Sequence, residues 1–508
     1  MKRILSLILA TFLLCSTFFV TGCSMGGGAT TVLRVCNCED YIDEDLLAEF
    51  TEETGIVVQY STYGTNENLY NELVINPNSY DLVVPSEYMI QKLASEGRIN
   101  KLDLSKVPTY TENVSSYIKD RLDGIKFTVE NGEYKGQEVA LSEYLVGYMW
   151  GTMGWVYNTD NVEKDLVKSW AGVFNDGSLS KRITIKDAVR DSYLVGLAMV
   201  YEEELKAAST NQKITEILNR VDQNSINKVG DKLSSIKKML YGFEVDSGKD
   251  DIVNGRIDAY VAWSGDAAYA IDVATGEVED EDGNFVDSIT NLSYYIPDEG
   301  SNIWFDGFVM PSGSKNFDAV YKFLNFISRP ETVYRNMNYT GYTGMVARGE
   351  FTMEDEESGE TYTTDLFNEV VLGWFDESED QDPETTYIDV DLSYFFGNDK
   401  EYVVTVSEEG LGRLLAQYPT AEIAARCAVM EFFPNDTLMS INEMWEKVKG
   451  ETFPTLVIIL IVVAVIILAA AVVLYRNKEK IKRHKTHEQK LTAMEKKGYK
   501  IVKTENIE

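Results

Sequence analysis

The sequence predicts an α/β protein with a mainly parallel sheet, followed by one C-terminal transmembrane helix. Short apolar runs alternate with amphipathic segments from residue 32 onward, the pattern of strands separated by crossover helices. The chain has 508 residues, 44% hydrophobic and 25% charged, enough to fold around more than one ordinary core. Near its end, residues 456–475 form an uninterrupted run of apolar or weakly polar residues.

The elements follow in order. Lys2 and Arg3 precede an apolar stretch over 4–20, the form of an export signal. Val20-Thr21-Gly22-Cys23 closes it like a lipobox, which makes Cys23 the expected lipidation site and 1–23 the signal. Residues 24–30 are Gly-rich and read as a tether. A strand is predicted over 32–36 and a helix over 44–54, with Leu46, Leu47 and Phe50 on one face and Gly55 ending it. A strand over 56–60, a helix over 66–74 and a strand over 80–84 follow. Ligands of such sheets sit beyond the carboxyl ends of the strands, which selects 37–41, 63–67 and 85–88. Further strands are predicted at 183–185, 259–263 and 308–310, and a strongly apolar helix at 319–327 before Arg329-Pro330. Residues 376–380 read as a solvated acidic loop, without the spacing of a calcium loop.

The run 456–475 spans roughly 30 Å as a helix, the hydrocarbon thickness of a bilayer. The tail 476–508 carries 11 Lys/Arg against 5 Asp/Glu, which places it in the cytosol and the rest outside. The expected location is therefore the extracytoplasmic face of the cell membrane.

Charge and composition exclude several functions. The chain holds 47 Lys/Arg and 82 Asp/Glu, a net −35. Without leader and tail, 34 Lys/Arg face 77 Asp/Glu, about −43. Such a surface repels nucleic acid and favours cations. The two histidines, His484 and His487, lie in the tail, so the body lacks Ser-His-Asp and Cys-His catalysis and histidine-bound metal. No G-x-S-x-G elbow and no P-loop is present. No enzyme activity, cofactor or metal is expected. Cys36 and Cys38 share a strand face; whether one of them pairs with Cys427 is left open by the sequence.

Tyr41-Ile42-Asp43, Leu47 through Gly55 and Tyr80-Asp81-Leu82-Val83-Val84-Pro85-Ser86-Glu87-Tyr88 form the start of an ordered series. It continues with Trp150-Gly151-Thr152, Trp263-Ser264-Gly265, Trp304-Phe305-Asp306, the helix ending at Pro330, and Gly341-Tyr342-Thr343. This series resembles the spermidine/putrescine-binding proteins of polyamine ABC importers over residues 31 to 350. The resemblance implies a two-lobed type II periplasmic-binding-protein fold with a hinge cleft. Lobe 1 would comprise 31–145 and 304–350. Lobe 2 would comprise 146–303 and 351–450, with an insertion over about 352–433. The implied partners are a polyamine, an ABC permease and a cytosolic ATPase, with the binding protein held at the membrane.

A polyamine needs carboxylates for its ammonium groups and flat apolar walls for its methylenes, and aromatic rings serve both. By the resemblance, Tyr41, Tyr88, Trp263 and Tyr342 are walls. Ser86 accepts a terminal ammonium, Trp304 and Asp306 hold the central amine, and Asp191 binds another ammonium. Without the resemblance, Trp263 and Trp304 read as core aromatics, Ser86 as a helix cap, Asp191 as a helix-start acid and Asp306 as a surface acid. The sequence departs from the family at Cys38, where a tryptophan is usual. It departs also at Ala188, where some members have an aspartate that Asp187 precedes by one position. Glu446 aligns with a glutamine. The expected function is capture of spermidine or putrescine for import, with a polyamine or cation sensor using the same cleft as the alternative.

Overall fold

The computed structural model describes residues 31–275, 277–279, 285–287, 291–355, 358–379 and 381–450. The expected signal, Cys23, the tether over 24–30, the span 456–475 and the basic tail lie outside these residues. Among the described residues no helix is long and apolar enough to cross a membrane. The chain divides into Met1–Trp445 and a small unit, Glu446–Glu508. Of the latter, only 446–450, the end of the helix Asn435–Lys449, is described.

The main sheet is built chiefly from β1 (Val32–Cys38), β2 (Val57–Tyr63), β3 (Leu82–Val83), β4 (Leu145–Asn158), β5 (Ile183–Lys186), β6 (Leu240–Glu244), β7 (Ala259–Trp263), β8 (Leu292–Tyr295), β9 (Ser301–Pro311) and β10 (Cys427–Ala428), with the two-residue strands Ile99–Asn100 on β9 and Thr343–Gly344 on β4. Its order is β2-β1-β3-β9-β4-β7-β5-β6. β1 pairs in parallel with β2 and β3, and β5 in parallel with β6 and β7. These are two parallel wings. Between them run β4 and β9, which pair with each other and with their outer neighbours in antiparallel fashion. The expectation of a mainly parallel sheet holds in each wing and fails at the centre. The reason is length: β4 has 14 residues and β9 has 11, all buried, so each crosses from one wing to the other. The sequence reading saw only 308–310, the end of β9.

Local signals explain the connecting helices. The helix Asp45–Thr54 buries Leu46, Leu47 and Phe50 and ends at Gly55, whose φ of 71° is the left-handed conformation that glycine adopts without strain. Phe50 packs edge-on against Phe323 of the helix Phe317–Ile327, 5.2 Å between ring centres. Pro330 opens the next helix, Pro330–Thr340, at the position where its missing N–H costs nothing.

The segment after residue 350 forms two hairpins, Glu350–Glu354 with Thr361–Asp365 and Tyr387–Asp391 with Val403–Ser407, followed by short helices. It touches both wings. Ser115 of the first wing donates to the Phe395 carbonyl at 2.6 Å, and Arg413 pairs with Asp272 of the second, 2.7 Å from Nη2 to Oδ2. Phe395 stacks on Trp150 of β4. The acidic stretch is a loop, as expected, but not wholly solvated: Glu377 Oε1 accepts from the backbone N–H and hydroxyl of Ser407. Cys36, Cys38 and Cys427 are free thiols, which closes the disulfide question.

Candidate functional site

The site lies where β1, β5 and β7 end and where β9 crosses between the wings. The β9–β4 register shifts between Phe305 and Gly307: β4 carries the extra residue, so that Tyr148 and Met149 stand opposite the single residue Asp306. The buried acid therefore faces a bulge, where the ladder is locally disrupted. Asp306 is 8% exposed. Its Oδ2 accepts a 2.7 Å hydrogen bond from the Tyr41 hydroxyl, while Oδ1 is buried without a hydrogen-bond partner among the described residues. Burial pushes the carboxyl up to about 6, against the lowering effect of the Ser86 and Tyr41 hydroxyls.

Aromatic rings surround this acid. Tyr41 meets Tyr342 edge-on at 4.9 Å, and Tyr342 meets Trp304 at 5.6 Å. Trp304 is fixed by donation from Nε1 to the Thr152 carbonyl at 3.1 Å. Two glycines permit this closeness. A Cβ on Gly151 would fall 2.5 Å from the Trp304 ring, and one on Gly265 would fall 2.2 Å from the Tyr342 ring.

The Tyr342 hydroxyl donates to Asp266 Oδ1 at 2.8 Å, which leads into the second wing. Asp266 pairs with Lys186, whose ammonium lies 4.1 Å from the centre of the Trp263 ring. Trp263 Nε1 donates to Asp191 Oδ1 at 3.3 Å. Asp191, 7% exposed, lies in the first turn of the helix Val189–Val200; burial raises its pKa despite Trp263, Lys186 and Arg190. Tyr88 donates to Glu67 Oε1 at 3.1 Å, and Glu67 is raised first by burial and further by the nearby charge of Asp191.

The structure thus joins Tyr41, Tyr342, Trp304 and Asp306 through direct contacts, and reaches Trp263 and Asp191 through Asp266 and Lys186; Tyr88 bonds Glu67, which feels the charge of Asp191. Ser86 faces Asp306 across a single antiparallel bridge. It is not a helix cap: it stands just before the helix Glu87–Ser95, but its side chain makes no cap bond and accepts instead from Asn66 Nδ2 at 3.0 Å. Asp306 is not a surface acid. Cys38 also belongs here, since burial raises its thiol first and the charge of Asp306 raises it further. Asp187 is half-buried just beyond β5, its backbone N–H bonded to the Glu244 carbonyl at 2.6 Å. Glu446 is solvent-exposed in the small C-terminal unit.

Sequence reasoning missed Glu67, Glu87, Lys186, Arg190, Glu244 and Asp266. Glu67 and Glu87 lie inside the strand-end segments it selected, so position was a usable signal. Glu87 is fully buried. Its Oε2 accepts from Phe305 N at 3.1 Å, Oε1 has no partner among the described residues, and burial pushes it up to about 8. The arrangement contains no nucleophile–base pair. It offers carboxylates, aromatic faces and hydroxyls to a cation. Among the described residues no cluster of His, Cys, Asp and Glu is arranged to hold a metal.

Residues 45–348 match the family model described as bacterial extracellular solute-binding protein. The spermidine/putrescine-binding periplasmic protein of Escherichia coli K12 is 27% identical over 307 residues, 60% of this chain and 75% of that protein. The putrescine-binding periplasmic protein SpuD of Pseudomonas aeruginosa is 30% identical over 306 residues, 59% of this chain and 74% of that one. Among solved structures, the spermidine/putrescine ABC transporter substrate-binding protein PotD of Streptococcus pneumoniae superposes with a TM-score of 0.52 at 24% identity, covering 82% of this chain and 98% of that one. The Tp0655 (TpPotD) lipoprotein of Treponema pallidum gives 0.54 at 16% identity, covering 82% and 99%. The two parallel wings joined by β4 and β9 are the two lobes of the periplasmic-binding-protein fold. With more than half of its length inside the family model, the chain belongs to the bacterial extracellular solute-binding proteins, which are transport components and not enzymes.

Proposed function

We propose that this protein captures a polyamine, spermidine or putrescine, between its lobes on the outer face of the membrane and delivers it to an ABC importer. The observation that carries this reading is Asp306: a buried carboxylate with one oxygen that has no hydrogen-bond partner among the described residues, set among Tyr41, Tyr342 and Trp304. A buried acid in an aromatic box is what a desolvated ammonium group requires. The names of the E. coli and P. aeruginosa relatives support the same ligand class. In this reading Tyr41, Tyr88, Trp263, Trp304 and Tyr342 wall the ligand, and Ser86, Asp191 and Asp306 take its ammonium groups. Lobe 1 is 31–145 with 304–350, and lobe 2 is 146–303 with 351–450, the part over 352–433 being an insertion. Cys23 carries a lipid, 456–475 spans the membrane, and a separate permease and ATPase complete the importer.

Isothermal titration of the full chain in detergent with spermidine and putrescine, and with citrate as anionic control, tests the proposal. Micromolar or tighter binding of one polyamine and none of citrate is expected. No heat with either polyamine would overturn it.

A further inference from the structure

Lys186 ends β5 and is 1% exposed. Its ammonium group lies 3.3 Å from Asp266 Oδ2, 3.4 Å from Glu244 Oε1 and 2.9 Å from the Val245 carbonyl, with the Trp263 ring face at 4.1 Å. These are two carboxylates, a carbonyl and an aromatic face, the environment a polyamine ammonium seeks. Burial works against its charge, but Glu244 and Asp266 outweigh that and keep it protonated. It is joined to the residues already described: Asp266 holds Tyr342, and Trp263 holds Asp191.

We infer that Lys186 is the residue that sets ligand size: its ammonium fills one cation position against Trp263, so the cleft takes a linear diamine in preference to a triamine. This rests on the polyamine reading. Lys186 neutralises one of the two carboxylates that face it, Glu244 and Asp266. A covalently fixed ammonium reduces by one the number of ligand ammonium groups that the same acids can hold.

The test is titration of the full chain with putrescine and with spermidine, for wild type, Lys186→Met and the double variant Lys186→Met/Glu244→Gln. The double variant removes the cation together with one of its carboxylates, so less unpaired charge is left buried than in Lys186→Met alone. Wild type is expected to bind putrescine at least about 10-fold tighter than spermidine. In either variant the ratio should shift toward spermidine by about 10-fold or more, because a third ammonium can replace the lost one. Spermidine should also raise the variants' melting temperature more than putrescine does. A folded variant that keeps the wild-type ratio overturns the inference. So does a wild type that binds spermidine as tightly as putrescine, an outcome that needs no variant and leaves the polyamine reading standing. A wild type that binds neither amine overturns both.

Discussion

The Tyr41 hydroxyl donates a 2.7 Å hydrogen bond to Asp306 Oδ2, tying the loop after the first strand to the crossing strand β9, 265 residues away, at the point where β9 faces the bulge of β4. Tyr41 satisfies one carboxylate oxygen and leaves the other, Oδ1, buried and without a hydrogen-bond partner among the described residues. Replacing Asp306 with asparagine keeps the shape and removes the charge. Asp306→Asn should weaken polyamine binding by roughly 10-fold or more, the size of a charge-assisted hydrogen bond. Its melting temperature should stay close to wild type, since the folded state loses no ion pair. Calorimetry of both quantities checks this. Normal affinity with a large fall in Tm would make Asp306 a structural residue.

The same acid predicts a pH dependence. Burial pushes Asp306 up to about 6 and Glu87 up to about 8. Both carboxyls are raised above their unfolded values, so the native state holds protons that the unfolded chain has released. Their contribution to stability is full below the unfolded pKa, near 4, and is lost as pH rises through the two folded values. A bound ammonium has the opposite preference at Asp306, because it needs the carboxylate. Polyamine affinity should therefore rise about 10-fold between about pH 5 and pH 7.5 as Asp306 ionises. Asp306→Asn should flatten this step. Wild-type affinities equal at both pH values would separate Asp306 from the bound amine.

Much of this site was legible because its chemistry sits on sequence landmarks. Tyr41, Ser86, Tyr88 and Trp263 each lie at or just beyond a strand end, and the α/β pattern points to such positions. What was not legible depends on long-range geometry. β4 and β9 are apolar on both faces, so their sequences show no alternation, and their antiparallel pairing across 150 residues leaves no local mark. Lys186 was invisible for another reason. A lysine ending a strand reads as a surface residue, and only the fold brings Glu244 and Asp266 to it. The bulge opposite Asp306 is bounded by Gly147 and Gly307, but only the pairing of β4 with β9 brings these two glycines together.

The segment after residue 350 is predicted to be part of the core. Phe395 is buried, stacks on Trp150 at 5.3 Å and meets Phe396 and Tyr418 edge-on at 5.0 and 5.6 Å. Phe395→Ala should cost about 3–5 kcal/mol, the usual range for removing a buried aromatic ring. A clear fall in Tm is expected in scanning calorimetry, with putrescine affinity changed less than about threefold when measured well below that Tm. An unchanged Tm would mean the segment is an appendage that the lobes do not need.

Asp81 gives the contrasting case, an acid whose work is wholly structural. It is fully buried behind β3, and Arg34 reaches it with Nε at 3.0 Å from Oδ2 and Nη2 at 3.0 Å from Oδ1. Ser314 and Asn316 donate to the same carboxylate at 3.1 and 3.0 Å, joining β1 to the loop after β9. Burial opposes the ionised form, but Arg34 and Asn316 outweigh it and hold the carboxyl below its usual range. Stability from this group is therefore present above the unfolded pKa and is lost as pH falls through the lowered folded value. Asp81→Ala leaves Arg34 and two donors without their acceptor, and should destabilise by about 3–5 kcal/mol. Polyamine affinity of the folded variant should match wild type, because no side chain bonded to Asp81 is among the proposed ligand residues. The acid limb of its pH–Tm curve should be shallower than that of wild type. A variant with normal Tm and weakened amine binding would mean that the roles of Asp81 and Asp306 had been assigned the wrong way round.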